Sequence, residues 1–285
     1  MTEPAAPTRS VVVKVGGREI RPGPALEALA RRIGLYAGRG LAPVLVHGGG
    51  EEITDRAEAL GLRTSKLAGQ RVTSAPMLEI VIEVLAGRIN GRLTAALGRA
   101  GVGAIGLTGA SDGLLAVRPA GDPPGTLGFV GIPDSVRPRA LRALRSAGFV
   151  PVLAPIGVDR AGQLFNVNAD LAAGAVASAL GSDLWLLTDV PGVLDRAGRV
   201  AHELPPGRAR RWLEEGTVTD GMIPKLQAAV RALLEGAPAA WIGRPESLGA
   251  EGPLPGAGTW VRGAARAAPL TSRRAIPAIS APGGP

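Results

Sequence analysis

The chain has 285 residues, a formal net charge of +8 and no cysteine. Its length fits one large α/β domain or, as preferred here, two lobes of roughly 100–200 residues, and without cysteine there are no disulfides, thiolate metal sites or cysteine nucleophiles. The basic balance raises the question of nucleic acid, yet one Tyr, three Phe and four Trp leave little for stacking on single strands, so no nucleic-acid partner is expected.

The opening MTEPAAPTRS lacks the apolar stretch of a secretory signal, and no run of about 18 apolar residues occurs, so a cytoplasmic protein without a membrane span is expected. Residues 11–16 (VVVKVG) read as a buried strand, 24–37 as a helix with proline at its start, 42–47 as a second strand and 51–60 as a second helix. Strand, helix, strand, helix predicts an α/β fold whose central, mainly parallel sheet is covered on both faces. A long amphipathic helix over 77–99 and a strand at 104–107 follow.

Residues 114–132, with PAGDPPG in their middle, read as an antiparallel hairpin. After it come a helix at 138–147, a strand at 150–155, an alanine-rich helix at 170–180, a strand at 183–188, a helix at 226–234 and a last strand at 239–242. From residue 263 onward alanine, proline and arginine without periodicity, including Arg266, Arg273 and Arg274, read as a disordered tail.

Two hydrolase-like fragments are present. HGGG at 47–50 matches an esterase oxyanion loop, and GASDG at 109–113 matches the G-x-S-x-G elbow, with Ser111, Asp189 and His202 in triad order. The elbow needs a helix directly after its serine, whereas 113–119 (GLLAVRP) reads as strand, so Ser111 and Asp112 are read as a polar turn. GVGAIG at 101–106 matches the dinucleotide fingerprint, but a helix precedes it and a strand follows, the reverse of what that fingerprint needs. It reads as a helix C-cap and turn. Two isolated histidines, His47 and His202, do not suggest a metal site.

The basic residues divide into 29 arginines and three lysines, Lys14, Lys66 and Lys225. Such a bias suggests that lysine stands where a compact, mobile ammonium is needed. Lys14 belongs to KVGG at 14–17 and Lys225 to DGMIPK at 220–225; HGGG at 47–50 and NVNAD at 166–170 complete four segments of chemical interest. KVGG and HGGG each end a predicted parallel strand, and parallel strands present their carboxyl ends to one edge, where ligands collect. Glycines there let backbone N–H groups approach phosphate oxygens, and Asp170 is placed to orient both ammoniums. Positioning and charge neutralisation are what phosphoryl transfer requires, and a carboxylate acceptor, already ionised near neutral pH, needs no general base.

These four segments, in this order with GQRVT at 69–73, GFVG at 128–131, IGVDRAGQLFNVNAD at 156–170, LLTDVPGVL at 186–194 and GTVTDGMIPKLQAA at 216–229, resemble the amino acid kinase family, and within it the acetylglutamate kinases. The resemblance spans roughly residues 11–262. It implies a three-layer α/β/α sandwich in two lobes: 11–180 for the acyl-amino-acid substrate and the dimer interface, 181–262 for the nucleotide. It implies ATP-dependent phosphorylation of the side-chain carboxylate of N-acetyl-L-glutamate, in arginine biosynthesis, with Mg2+ held mainly by the nucleotide phosphates and no protein metal ligands.

By resemblance, Lys14 stabilises the transferring phosphoryl group, Lys225 withdraws charge from the nucleotide phosphates, and Asp170 organises both. Gly16, Gly17, Gly49 and Gly50 are similar to the backbone donors around the γ-phosphate and acyl substrate, Gly16 and Gly17 on the nucleotide side. Arg71 resembles the clamp on the substrate's α-carboxylate, Asn166 the amide that binds beside it, and Thr188 and Asp189 part of the nucleotide site. Lys66 has no counterpart role. Arg18 replaces the family's usual small residue and Ser74 its frequent acid; both are expected on the acyl-amino-acid side. The family's arginine-inhibited hexamers carry an extra N-terminal helix, and only ten residues precede residue 11 here, so a homodimer without arginine feedback is expected. A kinase acting on carrier-protein-linked aminoadipate or glutamate is the nearest alternative, followed by a non-catalytic, ligand-sensing relative.

Overall fold

The computed structural model describes residues 9–67, 70–121, 125–219 and 221–263. The tail expected to be disordered, beyond residue 263, and Asp220 of DGMIPK lie outside them. The first half comprises β1 (Arg9–Val15), a 3-10 turn (Gly17–Ile20), α1 (Pro24–Gly38), β2 (Leu41–His47), α2 (Gly50–Ala59) and two short strands, β3 (Lys66–Leu67) and β4 (Gln70–Arg71). Then α3 (Ala75–Ile82), a π-helical segment (Glu83–Ile89) and α4 (Asn90–Arg99) continue one another, followed by β5 (Ala104–Thr108), β6 (Leu115–Pro119), β7 (Val130–Val136) and α5 (Arg139–Ser146). The remainder is β8 (Val150–Ala154), β9 (Ile156–Val158), β10 (Leu164–Val167), α6 (Ala169–Leu180), β11 (Asp183–Leu187), β12 (Glu203–Leu204), α7 (Pro206–Glu214), α8 (Met222–Leu234), β13 (Ala240–Gly243) and β14 (Thr259–Val261).

Eight strands form one sheet in the order β12-β14-β13-β11-β1-β2-β8-β5. All neighbours are parallel except β13 and β14. Alternation along β1 sends Val11, Val13 and Val15 into one apolar layer and Val12 into the other. The first layer takes α1, α2, α3 and α4 through residues such as Ile33, Ile53, Val81 and Leu93; the second takes α5 to α8 through Leu141, Val176, Trp212 and Leu226. Two covered faces are what a parallel sheet of near-continuous apolar strands requires, and each fully buried Leu, Ile or Val contributes about 1.5–3 kcal/mol. No helix among the described residues is long and apolar enough to cross a membrane.

Two expectations change in detail. The helix predicted over 77–99 contains the π-helical segment, whose wider turn shifts the apolar face so that Val84 is buried and Ile82 only partly so. The hairpin of β6 and β7 is half of a closed four-stranded barrel with β9 and β10. Gly157 makes that closure possible, since a Cβ there would sit 2.3 Å from Val117 Cγ1. α1 starts at Pro24 as expected, and between it and the KVGG strand end the chain forms the 3-10 turn, with Gly17 at φ +59. GVGAIG begins in a turn, Gly101 having φ +76, and its last three residues already belong to β5. Ser111 and Asp112 lie in a 3-10 turn followed by β6, so no helix follows the serine.

Candidate active site

Lys14 lies near the carboxyl end of central β1, and Asp170 is the second residue of α6, whose first turn is capped by Asn168 Oδ1 accepting from the N–H groups of Asp170 and Leu171. Lys225 projects from the first turns of α8. Lys14 Nζ is 3.0 Å from Asp170 Oδ1 and Lys225 Nζ is 3.1 Å from Asp170 Oδ2. The three residues predicted to act together are therefore joined through one buried carboxylate.

Burial by itself would raise the Asp170 carboxyl, but the Lys14 and Lys225 ammoniums outweigh it and hold it below the ordinary carboxylate value. Burial lowers the Lys225 ammonium from its ordinary value, opposed by Asp170. Two cations around one anion leave a net positive charge in a desolvated place, which suits a polyphosphate.

Two cavities meet at Lys14. One, of 730 Å³, is lined by Lys14, Gly16, Gly17, Thr188, Asp189 and Lys225 among others. The other, of 550 Å³, is lined by Lys14, Gly16, Gly17 and all three glycines of the HGGG loop, Gly48, Gly49 and Gly50. Both volumes fall in the range of small-molecule sites. Gly50 opens α2 without a side-chain cap, so the first N–H groups of that helix face outward, as at helix termini that bind anions. Gly49 has no room for a side chain: a Cβ would lie 2.5 Å from Ile89 Cδ1 and 2.6 Å from Leu85 Cδ2.

Arg71 and Asn166 line neither cavity but form one network behind the second. Arg71 Nη2 donates to Gly50 O and to Thr54 Oγ1, both at 2.7 Å, and its Nη1 is buried without a hydrogen-bond partner. Asn166 Nδ2 donates to Thr73 Oγ1 at 3.1 Å, which in turn donates to Arg71 O at 2.9 Å. Thr73, fully buried, was not singled out from the sequence; the signal was its place in the quoted GQRVT segment. Thr188 Oγ1 donates to Asp189 Oδ1 at 3.2 Å, and Arg244 Nε to Asp189 O at 2.9 Å.

Other residues stand differently from expectation. Arg18, expected on the acyl-amino-acid side, lines the cavity of Thr188 and Lys225, because the 3-10 turn after Gly17 directs the chain toward that side. Ser74 is exposed at the N-cap of α3. Lys66 lines the second cavity. Sequence reasoning also missed Glu51, which lines both cavities, although its place directly after three glycines signalled it.

Comparison with known proteins identifies the family. Residues 9–243 match the model of the amino acid kinase family. The chain is 40% identical over 244 residues to the acetylglutamate kinase of Gluconobacter oxydans, covering 82% of this chain and 83% of that one. It is 42% identical over 249 residues to that of Rhodospirillum centenum, covering 82% and 80%. Among solved structures, smu.665 from Streptococcus mutans superposes with a TM-score of 0.75 at 28% identity, over 89% of this chain and 98% of the other. With two glycine loops, a shared aspartate and paired lysines in one sheet edge, the chain belongs to the amino acid kinase family.

Proposed function

We propose that this chain transfers the γ-phosphoryl group of ATP to the side-chain carboxylate of N-acetyl-L-glutamate, a step of arginine biosynthesis. The observation that carries the reading is that Lys14 stands at the junction of two cavities and shares Asp170 with Lys225, which lines only one of them. ATP occupies the cavity of Thr188, Asp189 and Lys225; the acyl amino acid occupies the one against Gly48–Gly50. The relatives at about 40% identity support the choice of acceptor.

A carboxylate oxygen of the acceptor attacks the γ-phosphorus while the bond to the β–γ bridging oxygen breaks, and ADP leaves with the electron pair. Lys14 neutralises charge on the transferring group, and Lys225 the charge growing on the leaving phosphates. Asp170 keeps the two ammoniums apart and aimed. The backbone N–H groups of Gly16, Gly17, Gly49 and Gly50 surround the equatorial oxygens. The resemblance assigns Arg71, whose unpartnered Nη1 is buried behind the acyl cavity, to the α-carboxylate, with Asn166 beside it. Both Asp170 oxygens are committed to lysines, so Mg2+ in this reading is held by the phosphates, whose charge it neutralises.

The proposal includes a division into an acyl-substrate lobe (11–180) and a nucleotide lobe (181–262), a cytoplasmic homodimer, and turnover insensitive to arginine. Sedimentation, and rates measured across arginine concentrations, test the last two. The substrate is tested by trapping the acyl phosphate with hydroxylamine while offering N-acetylglutamate, free glutamate, N-succinylglutamate and carrier-linked aminoadipate. N-acetylglutamate is expected to be turned over best; turnover confined to the carrier-linked acid would overturn the assignment.

A further inference from the structure

β1 and β2 are paired neighbours, and the Gly48 N–H donates to Val15 O at 2.8 Å, so the sheet ladder fixes the two glycine loops where they leave it; the far ends of the loops, beyond that ladder, need another tie. The first turn of α4 touches both. Arg92 Nη1 and Nη2 grip the two oxygens of Glu52 at 2.7 and 3.1 Å, and Nη1 also donates to Ile20 O at 2.8 Å. Ile20 ends the 3-10 turn that follows Gly16 and Gly17, and Glu52 is the third residue of the helix opened by Gly50. Both line the second cavity, whereas Arg92 does not. The Arg92 and Glu52 side chains are only 20% and 13% exposed. A planar fork holding a carboxylate and a carbonyl at once fixes a spacing that a single ammonium cannot.

Two positions earlier, Asn90 fixes where the second loop begins. Its Nδ2 donates to Val152 O at 2.9 Å, and the same nitrogen is 3.2 Å from His47 Nε2. Since that nitrogen is a donor, Nε2 accepts, and the ring proton is on Nδ1, which donates to Gly48 O at 3.0 Å. Leu85 and Ile89 of the preceding π-helical segment close on Gly49. One helical surface thus contacts the second loop before, at and after its glycines, and the first loop at its exit.

We propose that Arg92 is a positioning residue that sets the spacing of the two glycine loops, with Asn90 anchoring the entry to the second. The proposal rests on the reading of these loops as the cradle of the transferring group. The first turn of α4 acts as a gauge between the donor and acceptor halves of the site, without touching either substrate.

The test uses the full chain carrying Arg92→Lys, Arg92→Ala or Glu52→Gln, read by melting, by kcat and KM for each substrate, and by hydrogen–deuterium exchange in segments 14–22 and 45–54. Arg92→Lys is expected to melt cooperatively yet lose about 10- to 100-fold in kcat, with KM for ATP nearly unchanged, since misplacement of about 1 Å costs on that order. Exchange is expected to quicken in both segments together in all three variants. Wild-type kcat in folded Arg92→Lys and Arg92→Ala, or faster exchange confined to 45–54, would overturn the proposal. If the wild-type chain phosphorylates none of the acids offered, the kinase reading fails, and the exchange of the two segments still decides whether Arg92 couples them.

Discussion

The Lys225 ammonium lies 3.1 Å from Asp170 Oδ2, in a carboxylate group whose other oxygen faces Lys14. Replacing Asp170 by Asn leaves two ammoniums close together without their anion. Removing one partner of a buried ion pair costs about 3–5 kcal/mol, so a clear drop in melting temperature is expected with loss of nearly all turnover. Asp170→Glu, which keeps the charge but moves it, is expected to retain the fold and still lose most of kcat. Wild-type kcat in a folded Asp170→Asn would show that the carboxylate does not organise the lysines.

Arg71 divides its guanidinium between the protein, through Nη2, and an unpartnered Nη1. In Arg71→Lys a single ammonium cannot hold Gly50 O and Thr54 Oγ1 and also receive a carboxylate. A charged hydrogen bond contributes about 1.5–3 kcal/mol, so KM for the acyl amino acid is expected to rise by roughly 10- to 100-fold while KM for ATP stays constant. Steady-state kinetics with each substrate varied in turn check this, and an equal rise in both constants would contradict the assignment.

His47 gives the stability a pH dependence. Burial pushes its imidazole down to about 4, so the folded protein keeps it neutral where the unfolded chain takes up a proton. Its contribution is present above the unfolded value of about 6.5 and is lost as pH falls toward 4, amounting to about 3 kcal/mol over that window. Asp170, whose carboxyl is also held low, adds a loss in the same direction at lower pH. Melting curves from pH 7 to pH 4 are expected to show this decline, and His47→Gln to flatten the part above pH 4. An unchanged slope in that variant would assign the effect elsewhere.

Gly49 and Gly50 form a matched pair of probes. A methyl group at 49 meets Leu85 and Ile89, whereas at 50 nothing lies within 4 Å. Overpacking costs about 1–3 kcal/mol, so Gly49→Ala is expected to lower the melting temperature and Gly50→Ala to leave it nearly unchanged. Equal melting of the two variants would mean that the π-helical segment yields to the intruding methyl.

The parallel sheet was legible because β1, β2, β8 and β11 are short, apolar and separated by helices with a 3.6-residue period. Lys14, Lys225 and Asp170 were legible as chemistry because lysine is scarce here, and as partners through resemblance to the family. Strands β9, β10, β12 and β14, of two to four residues, were not, since so short a stretch has no period to read and owes its existence to neighbours across the barrel or sheet edge. Arg92 and Asn90 were missed for a related reason. An arginine and an asparagine in an amphipathic helix look like solvated polar positions until the chain brings Glu52, Ile20 and His47 against them.

The order of strands in the sheet also bears on how the protein is made. β1 is flanked by β2, close in sequence, and by β11, which begins only at residue 183. Until the ribosome has released β11, one edge of the apolar strand VVVKV has no partner and is open to pairing with other chains. Asp170 arrives shortly before that strand, and Lys225 well after it. In a nascent or truncated chain ending before α8, Lys14 and Asp170 balance each other, and the net positive charge that suits a polyphosphate is absent until Lys225 is in place.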